Sequence, residues 1–203
     1  HTRLAAVSWG SEMCIRDSFY LFRHGETEYN RLGLRQGQGI DAGLNETGRL
    51  QAQKLAVYLE EKEIEVIYTS PLRRARQTAE IAAVRLCIAV ISDERLLEGN
   101  FGAAEGLSKE EVKRRWPEII DNWYKPGLAM AQGFPGGESK AAIQRRMQQA
   151  LADLLEKPES VIGISSHSAA LRFLLMTMGG NGEKLPNAEA IHVVWDGNWR
   201  IEE

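Results

Sequence analysis

A chain of 203 residues, 43% hydrophobic and 26% charged, has the material for one ordinary domain with a buried core, which excludes disordered and collagen-like classes. Twenty-five Lys and Arg against 28 Asp and Glu leave a net charge of −3, so nothing draws nucleic acid or an anionic membrane in general, and an anion site has to be built locally. Two cysteines (Cys14 and Cys87) make no disulfide framework, no Cys/His cluster suggests zinc, and no apolar run approaches the ~18 residues of a spanning helix, so a reducing cytosol is the expected compartment.

Residues His1 to Ser18 show no sustained period and lack the apolar centre of a secretory signal. Within them, Met13-Cys14-Ile15-Arg16-Asp17 resembles the conceptual translation of a common transposase sequencing adapter. Residues 1–18 are therefore expected to be a non-native or disordered leader, and residues 19–203 a single domain.

Phe19-Tyr20-Leu21-Phe22 is wholly apolar, the pattern of a strand buried on both faces. It ends in Arg23-His24-Gly25-Glu26-Thr27, and a glycine-rich loop follows. Asn45 can cap a helix whose Ala52, Leu55, Ala56 and Leu59 recur at helical spacing. Val66 to Thr69 predicts a second strand. Ser70-Pro71 predicts a helix start, with serine as N-cap, proline at the first helical position, and Leu72, Ala75, Ala79 and Ala82 inward. Ile88 to Ile91 is a third strand, and Cys87, flanked by Leu86 and Ile88, reads as buried.

Residues 99–137 are less regular and hold most of the aromatics, with a short helix expected over Ser108 to Arg115. Trp116, Trp123 and Tyr124 are expected to pack this lid-like segment. A long amphipathic helix (Ile143, Met147, Ala150, Leu151 and Leu154 inward), a strand over Val161 to Ile164 and an apolar helix from Ala169 to Met178 come next. Ala190 to Trp195 and Trp199 to Ile201 read as a hairpin about Asp196-Gly197-Asn198, with His192 structural. Strands alternating with helices predict an α/β three-layer sandwich with a mostly parallel mixed central sheet.

In open α/β sheets ligands collect beyond the carboxyl ends of the strands. Arg23-His24, Ser70 to Arg74 and Ser165 to Ser168 all follow strands, so one sheet edge can gather them. Two histidines and two arginines there make a cationic pocket, and arginine forks with helix-start N–H groups suit phosphate. Singly, each residue also has a plain structural reading: a satisfied histidine, a solvated arginine, a serine cap.

Arg23-His24-Gly25-Glu26-Thr27 with Asn30 resembles the signature of the histidine phosphatase superfamily, which includes the cofactor-dependent phosphoglycerate mutases. Gln36-Gly37, Leu44 to Gly48, Ser70 to Ala79, Glu94 to Gly106, Phe134 to Ser139 and Ser166-His167 are similar to its later stations, in order. The resemblance implies a phosphoglycerate mutase-like fold and a metal-independent phosphatase acting through phosphohistidine, with no cofactor and a small phosphorylated metabolite as partner.

It also implies roles. His24 would be the nucleophile; Arg23, Arg74 and His167 would clamp the non-bridging oxygens, with Asn30, Gln36, Gly37 and Ser168 also binding substrate. Arg74 is preferred to Arg73 because the family's arginine directly precedes the alanine. Glu98 would be the general acid and then the base, with Glu94 and Glu105 as rivals.

Two departures stand out. Ser168 occupies a position that is usually glycine, and Ala103-Ala104 replace larger residues, which is expected to loosen the pocket rim. Lys113-Arg114-Arg115 reads first as a solvated helix face and second as cations that meet a substrate carboxylate or second phosphate. The compact Gly106 to Gly133 stretch favours hydrolysis over mutase-type transfer, and a non-catalytic phospho-ligand binding protein is the alternative outside enzymes.

Overall fold

A computed structural model describes residues 17–202. In chain order these form β1 (Asp17–Arg23), α1 (Glu28–Arg31), α2 (Glu46–Glu60), β2 (Val66–Thr69), α3 (Arg73–Leu86), β3 (Ala89–Ser92), α4 (Lys109–Arg115), α5 (Pro117–Trp123), α6 (Lys140–Leu154), β4 (Val161–Ser166), α7 (Ser168–Met176), β5 (Ala190–Trp195) and β6 (Trp199–Glu202). Short 3-10 turns over Glu94–Leu96 and Gly102–Ala104 precede α4. β1 begins two residues before Phe19, with Ser18 in register with Val161 on one side and Val194 on the other. The rest of the expected leader lies outside the described residues.

The six strands form one sheet in the order β3-β2-β4-β1-β5-β6. The first four are mutually parallel, while β5 and β6 run antiparallel at one edge. Alternation along each strand sends successive side chains to opposite faces. Phe19, Leu21, Tyr68, Ile162 and Ile164 pack toward α6 and α7, whereas Phe22 and Ile67 pack against α2 and α3. Both faces of the central strands are covered, so runs such as Phe19 to Phe22 and Val66 to Tyr68 have to be apolar. The edge strand β3 is mostly exposed, and β6 carries Arg200 and Glu202. The sandwich is the expected mixed, mostly parallel one.

Helix starts follow local chemistry. The Asn45 side chain accepts from Gly48 N at 2.8 Å, and the Ser139 side chain accepts from Ala142 N at 3.2 Å. α3 departs from expectation: its N-cap is Leu72, not Ser70. Ser70 N instead donates to Ser165 O at 3.0 Å, continuing the β2–β4 ladder past the strand end, while the Ser70 hydroxyl accepts from Leu72 N at 3.3 Å. Cys87 also differs. It is exposed, because it terminates α3 in a left-handed conformation (φ 55°) that turns it out of the core.

The 99–137 segment carries α4 and α5 over the α7 side of the sheet. Fully buried Trp123 meets Phe134 and Phe173 with ring centroids 5.0 and 5.4 Å apart, so this aromatic set fastens the segment to α7 as expected. Tyr124 also packs against this core, its ring centroid 6.1 Å from that of Phe173, and in addition lines a cavity. His192 stacks on Tyr20 at 4.5 Å, consistent with a structural part. Among the described residues no helix is long and apolar enough to cross a membrane.

Candidate active site

β4 lies between β1 and β2, and that order builds the site. Arg23 is in register with Ser166, and Thr69 with Ser165, so the residues just past three strand ends become neighbours. His24 and His167, 143 positions apart in the sequence numbering, bring their ring centroids to 5.2 Å. A cavity of about 510 Å³ opens over them, lined by Arg23, His24, Asn30, Gln36, Arg74, Glu98 and Ser168 among others. Of the expected site residues, His167 and Gly37 do not line it.

His24 is buried, and its Nδ1 stands 2.7 Å from the carbonyl oxygen of Gly25. A carbonyl only accepts, so Nδ1 carries the ring proton and Nε2 keeps the lone pair. Burial, followed by the positive charges of Arg74 and Arg23, holds the imidazole well below its ordinary pKa. It is neutral at neutral pH. Gly25 has to be glycine, since a Cβ there would overlap the carbonyl of Gly48.

Arg74 is fully buried at the start of α3. Its Nη1 donates to Ile40 O at 2.8 Å and its Nη2 to Gly37 O at 3.1 Å, while Nε is buried with no partner among the described residues. Gly37 thus acts by aiming Arg74, and a side chain on it would overlap the Glu105 carboxylate. Arg73, next door, is exposed. Arg23 donates from Nη1 to Leu185 O at 3.1 Å and likewise keeps a buried Nε without a described partner. Burial lowers its pKa to about 10, so it remains a cation near neutrality.

Glu98 is buried at the N-terminus of α7, a helix with no side-chain cap of its own. Its Oε1 accepts from Gly99 N and Ala170 N, each at 3.0 Å, and its Oε2 accepts from Ala169 N at 3.2 Å. The carboxylate therefore fills the place of an N-cap and is held rigidly at the cavity wall. The rivals are accounted for otherwise. Glu94 is exposed outside the cavity, and Glu105 ties Gly39 N and Phe101 N together at 3.0 Å each.

His167 Nε2 is 2.8 Å from Ser70 Oγ, which also accepts from Leu72 N at 3.3 Å. Its Nδ1 is buried with no partner among the described residues, and burial with the charge of Arg74 lowers its pKa well below the usual value. Asn30 Oδ1 accepts from Thr27 N and from Asn187 Nδ2, each at 3.2 Å, which commits the oxygen to protein and leaves the amide N–H groups as donors. Gln36 donates to Thr27 Oγ1 at 2.6 Å. Ser168 is the first residue of α7 at the rim, not its cap. Ala103 and Ala104 do not line the cavity.

A search against protein-family models matches residues 19–198 to the histidine phosphatase superfamily (branch 1). The chain belongs to that superfamily. It is 32% identical over 161 residues to phosphoserine phosphatase 1 of Hydrogenobacter thermophilus, covering 79% of this chain and 75% of that one. It is 30% identical over 190 residues to the uncharacterized phosphatase PhoE of Bacillus subtilis, covering 90% and 91%. Among solved structures, a mycobacterial glucosyl-3-phosphoglycerate phosphatase superposes with a TM-score of 0.82 at 25% identity, covering 92% of this chain and 98% of that one. As a histidine phosphatase, the chain is a phosphoric monoester hydrolase, and the phosphohistidine route is general to its family.

Sequence reading missed Tyr124, Arg172, Lys184 and Asn187, all of which line the cavity. Arg172 had a signal, being the single charged residue of the otherwise apolar and small-residue α7. The others lie in irregular segments with no periodicity to betray them.

Proposed function

We propose that His24 performs in-line attack on a phosphomonoester and that Glu98 first protonates the leaving oxygen and then activates water. The observation that carries this reading is the His24 hydrogen bond to Gly25 O, which presents an unprotonated Nε2 in a cationic cavity. In the first displacement the Nε2–P bond forms as the P–O bond to the leaving group breaks, and Glu98 supplies the proton. In the second, water attacks phosphorus, its proton passes to Glu98, and the N–P bond breaks to release phosphate and neutral His24. Oε2 of Glu98, which accepts one backbone N–H where Oε1 accepts two, has the capacity left for this proton.

Charge developing on the three equatorial oxygens is met by Arg23 and Arg74, whose buried Nε groups lack described partners. A phosphoryl group on His24 stands close enough for His167 Nδ1 to join them, with Nε2 then accepting the Ser70 hydroxyl proton. The Asn30 amide adds a donor. The substrate class is a small phosphorylated metabolite.

His24→Ala is expected to abolish turnover of p-nitrophenyl phosphate while the thermal unfolding midpoint stays within a few degrees. Retained hydrolysis would remove His24 from the reaction. With 3-phosphoglycerate, phosphate release is expected to outpace isomerisation; the reverse would replace hydrolysis by mutase-type transfer.

A further inference from the structure

Seven basic side chains and two carboxylates line the cavity, more positive charge than one phosphoryl group requires. Arg23 and Arg74 belong to the phosphoryl end beside His24. Both carboxylates are already engaged: Glu98 accepts three backbone N–H groups, and Glu26 Oε1 accepts from Asn45 Nδ2 at 2.8 Å. Arg35 lies over the Phe101 and Phe134 rings at 5.0 Å from each, and four further cations, Lys109, Lys113, Arg172 and Lys184, make up an outer ring.

Several arginines outside the cavity are neutralised by carboxylates. Arg31, Arg85, Arg95, Arg114 and Arg115 each pair with a carboxylate within 2.7 Å. On α4 the contrast runs along one helix. Arg114 and Arg115 are tied to Glu111, whereas Lys109 and Lys113, one turn apart, line the cavity and form no ion pair with a described residue. Arg172 lies over the Tyr124 ring at 3.5 Å and donates from Nε to Gly182 O at 2.8 Å, so its cation is fixed but not neutralised. Lys184 follows in the same loop, which Arg23 holds through Leu185 O. Half-burial first, and then the neighbouring charges of Arg23, Lys109 and Arg172, lower the Lys184 pKa to about 8.

We propose that this outer ring is a second anion subsite, so that the substrate is a compact phosphomonoester carrying a further full negative charge at the end away from the scissile group. This inference rests on the phosphatase reading of the inner site and specifies its substrate. A carboxylate and a second phosphate share the required chemistry. The lid places Lys109 and Lys113 on one wall, and α7 with the 182–187 loop places Arg172 and Lys184 on the other. A distal anion would bridge the two walls.

The test compares kcat/KM within two matched pairs of probes, with p-nitrophenyl phosphate as the control for basal chemistry. 3-Phosphoglycerate against glycerol 3-phosphate reads a carboxylate; fructose 1,6-bisphosphate against fructose 6-phosphate reads a phosphate. The expected result is a preference of ~10-fold or more for the more anionic member of one pair, which also identifies the group, since several partly exposed charge contacts add up to that order. The double variant Lys109→Met/Lys113→Met is expected to reduce that ratio at least ~5-fold, whereas Arg114→Met, with one cation removed from the same helix outside the cavity, leaves it unaltered. Both lysines are exposed, so the fold is not at stake.

No preference in either pair, with p-nitrophenyl phosphate hydrolysed normally, would overturn the subsite and leave the phosphatase reading standing. An equal loss of preference in Arg114→Met would also overturn it, because the cause would be the general field of the protein. Failure to hydrolyse any probe would overturn the phosphatase reading and the subsite together.

Discussion

Arg74→Lys keeps the charge and removes the fork, which makes it an incisive perturbation of the inner site. The guanidinium donates to two loop carbonyls, Ile40 O at 2.8 Å and Gly37 O at 3.1 Å, and still has a buried Nε to direct at a ligand. A single ammonium on a flexible stem cannot serve two fixed carbonyls and a phosphoryl oxygen at once. Removing one preorganised donor from a transition-state oxygen costs about 2.7–4 kcal/mol, so kcat/KM is expected to fall ~10²–10³-fold. One buried carbonyl left unpaired costs about 1–3 kcal/mol of stability. That corresponds to a melting point lower by roughly 2–12 °C for a chain of this size. Arg73→Lys, one residue earlier and exposed, is expected to change neither quantity. Steady-state hydrolysis of p-nitrophenyl phosphate and a thermal melt of both variants decide the matter. Activity of Arg74→Lys within about threefold of the parent would refute the assignment of the phosphoryl clamp to this residue.

Two further outcomes follow from burial and exposure. His24 and His167 both have pKa values held below the ordinary 6.5, so between the folded value and 6.5 the unfolded chain binds more protons, and stability rises with pH. Acidification from pH 6.5 to 5.5 is therefore expected to lower stability through both of them, and His24→Asn should remove its share of that slope in urea titrations; an unchanged slope would contradict the assignment. Cys87, exposed at the end of α3, is expected to react with a maleimide in the native protein, as peptide mapping would show, and protection until denaturation would restore the buried reading.

Much of the fold was legible because each core strand is a short apolar run and each long helix repeats at 3.6 residues. Leu21 and Phe22 illustrate why: the two face opposite helical layers, so the strand has to be apolar on both sides. The inner site was legible for a related reason. Its residues sit next to strand ends, where a change from apolar to polar is abrupt, as at Phe22-Arg23-His24.

What escaped depends on contacts between distant segments. Ser70 reads as a helix cap from its neighbours alone; its bond to Ser165 across the sheet keeps it extended and sends its hydroxyl to His167. Glu98 shows the same limit from the other side. Nothing in its own segment says that it caps α7, since the donors Ala169 and Ala170 come from more than seventy residues away. The outer cations are the clearest case. Lys113 and Arg114 are adjacent and chemically alike in the sequence, yet one lines the cavity and the other is tied to Glu111, because helical rotation separates neighbours by ~100°.

The balance of −3 and the cationic cavity are compatible because the excess acid lies outside the site: seven bases face two carboxylates within it. The central claim is that His24 carries the phosphoryl group. A rapid acid-free quench during turnover of a phosphomonoester, followed by peptide mass mapping under alkaline conditions that preserve phosphohistidine, tests it most directly. The account predicts a transient phosphoryl group on Nε2 of His24, absent from His24→Ala. Phosphoryl transfer to His167, or turnover with no phosphorylated peptide at any quench time, would contradict it.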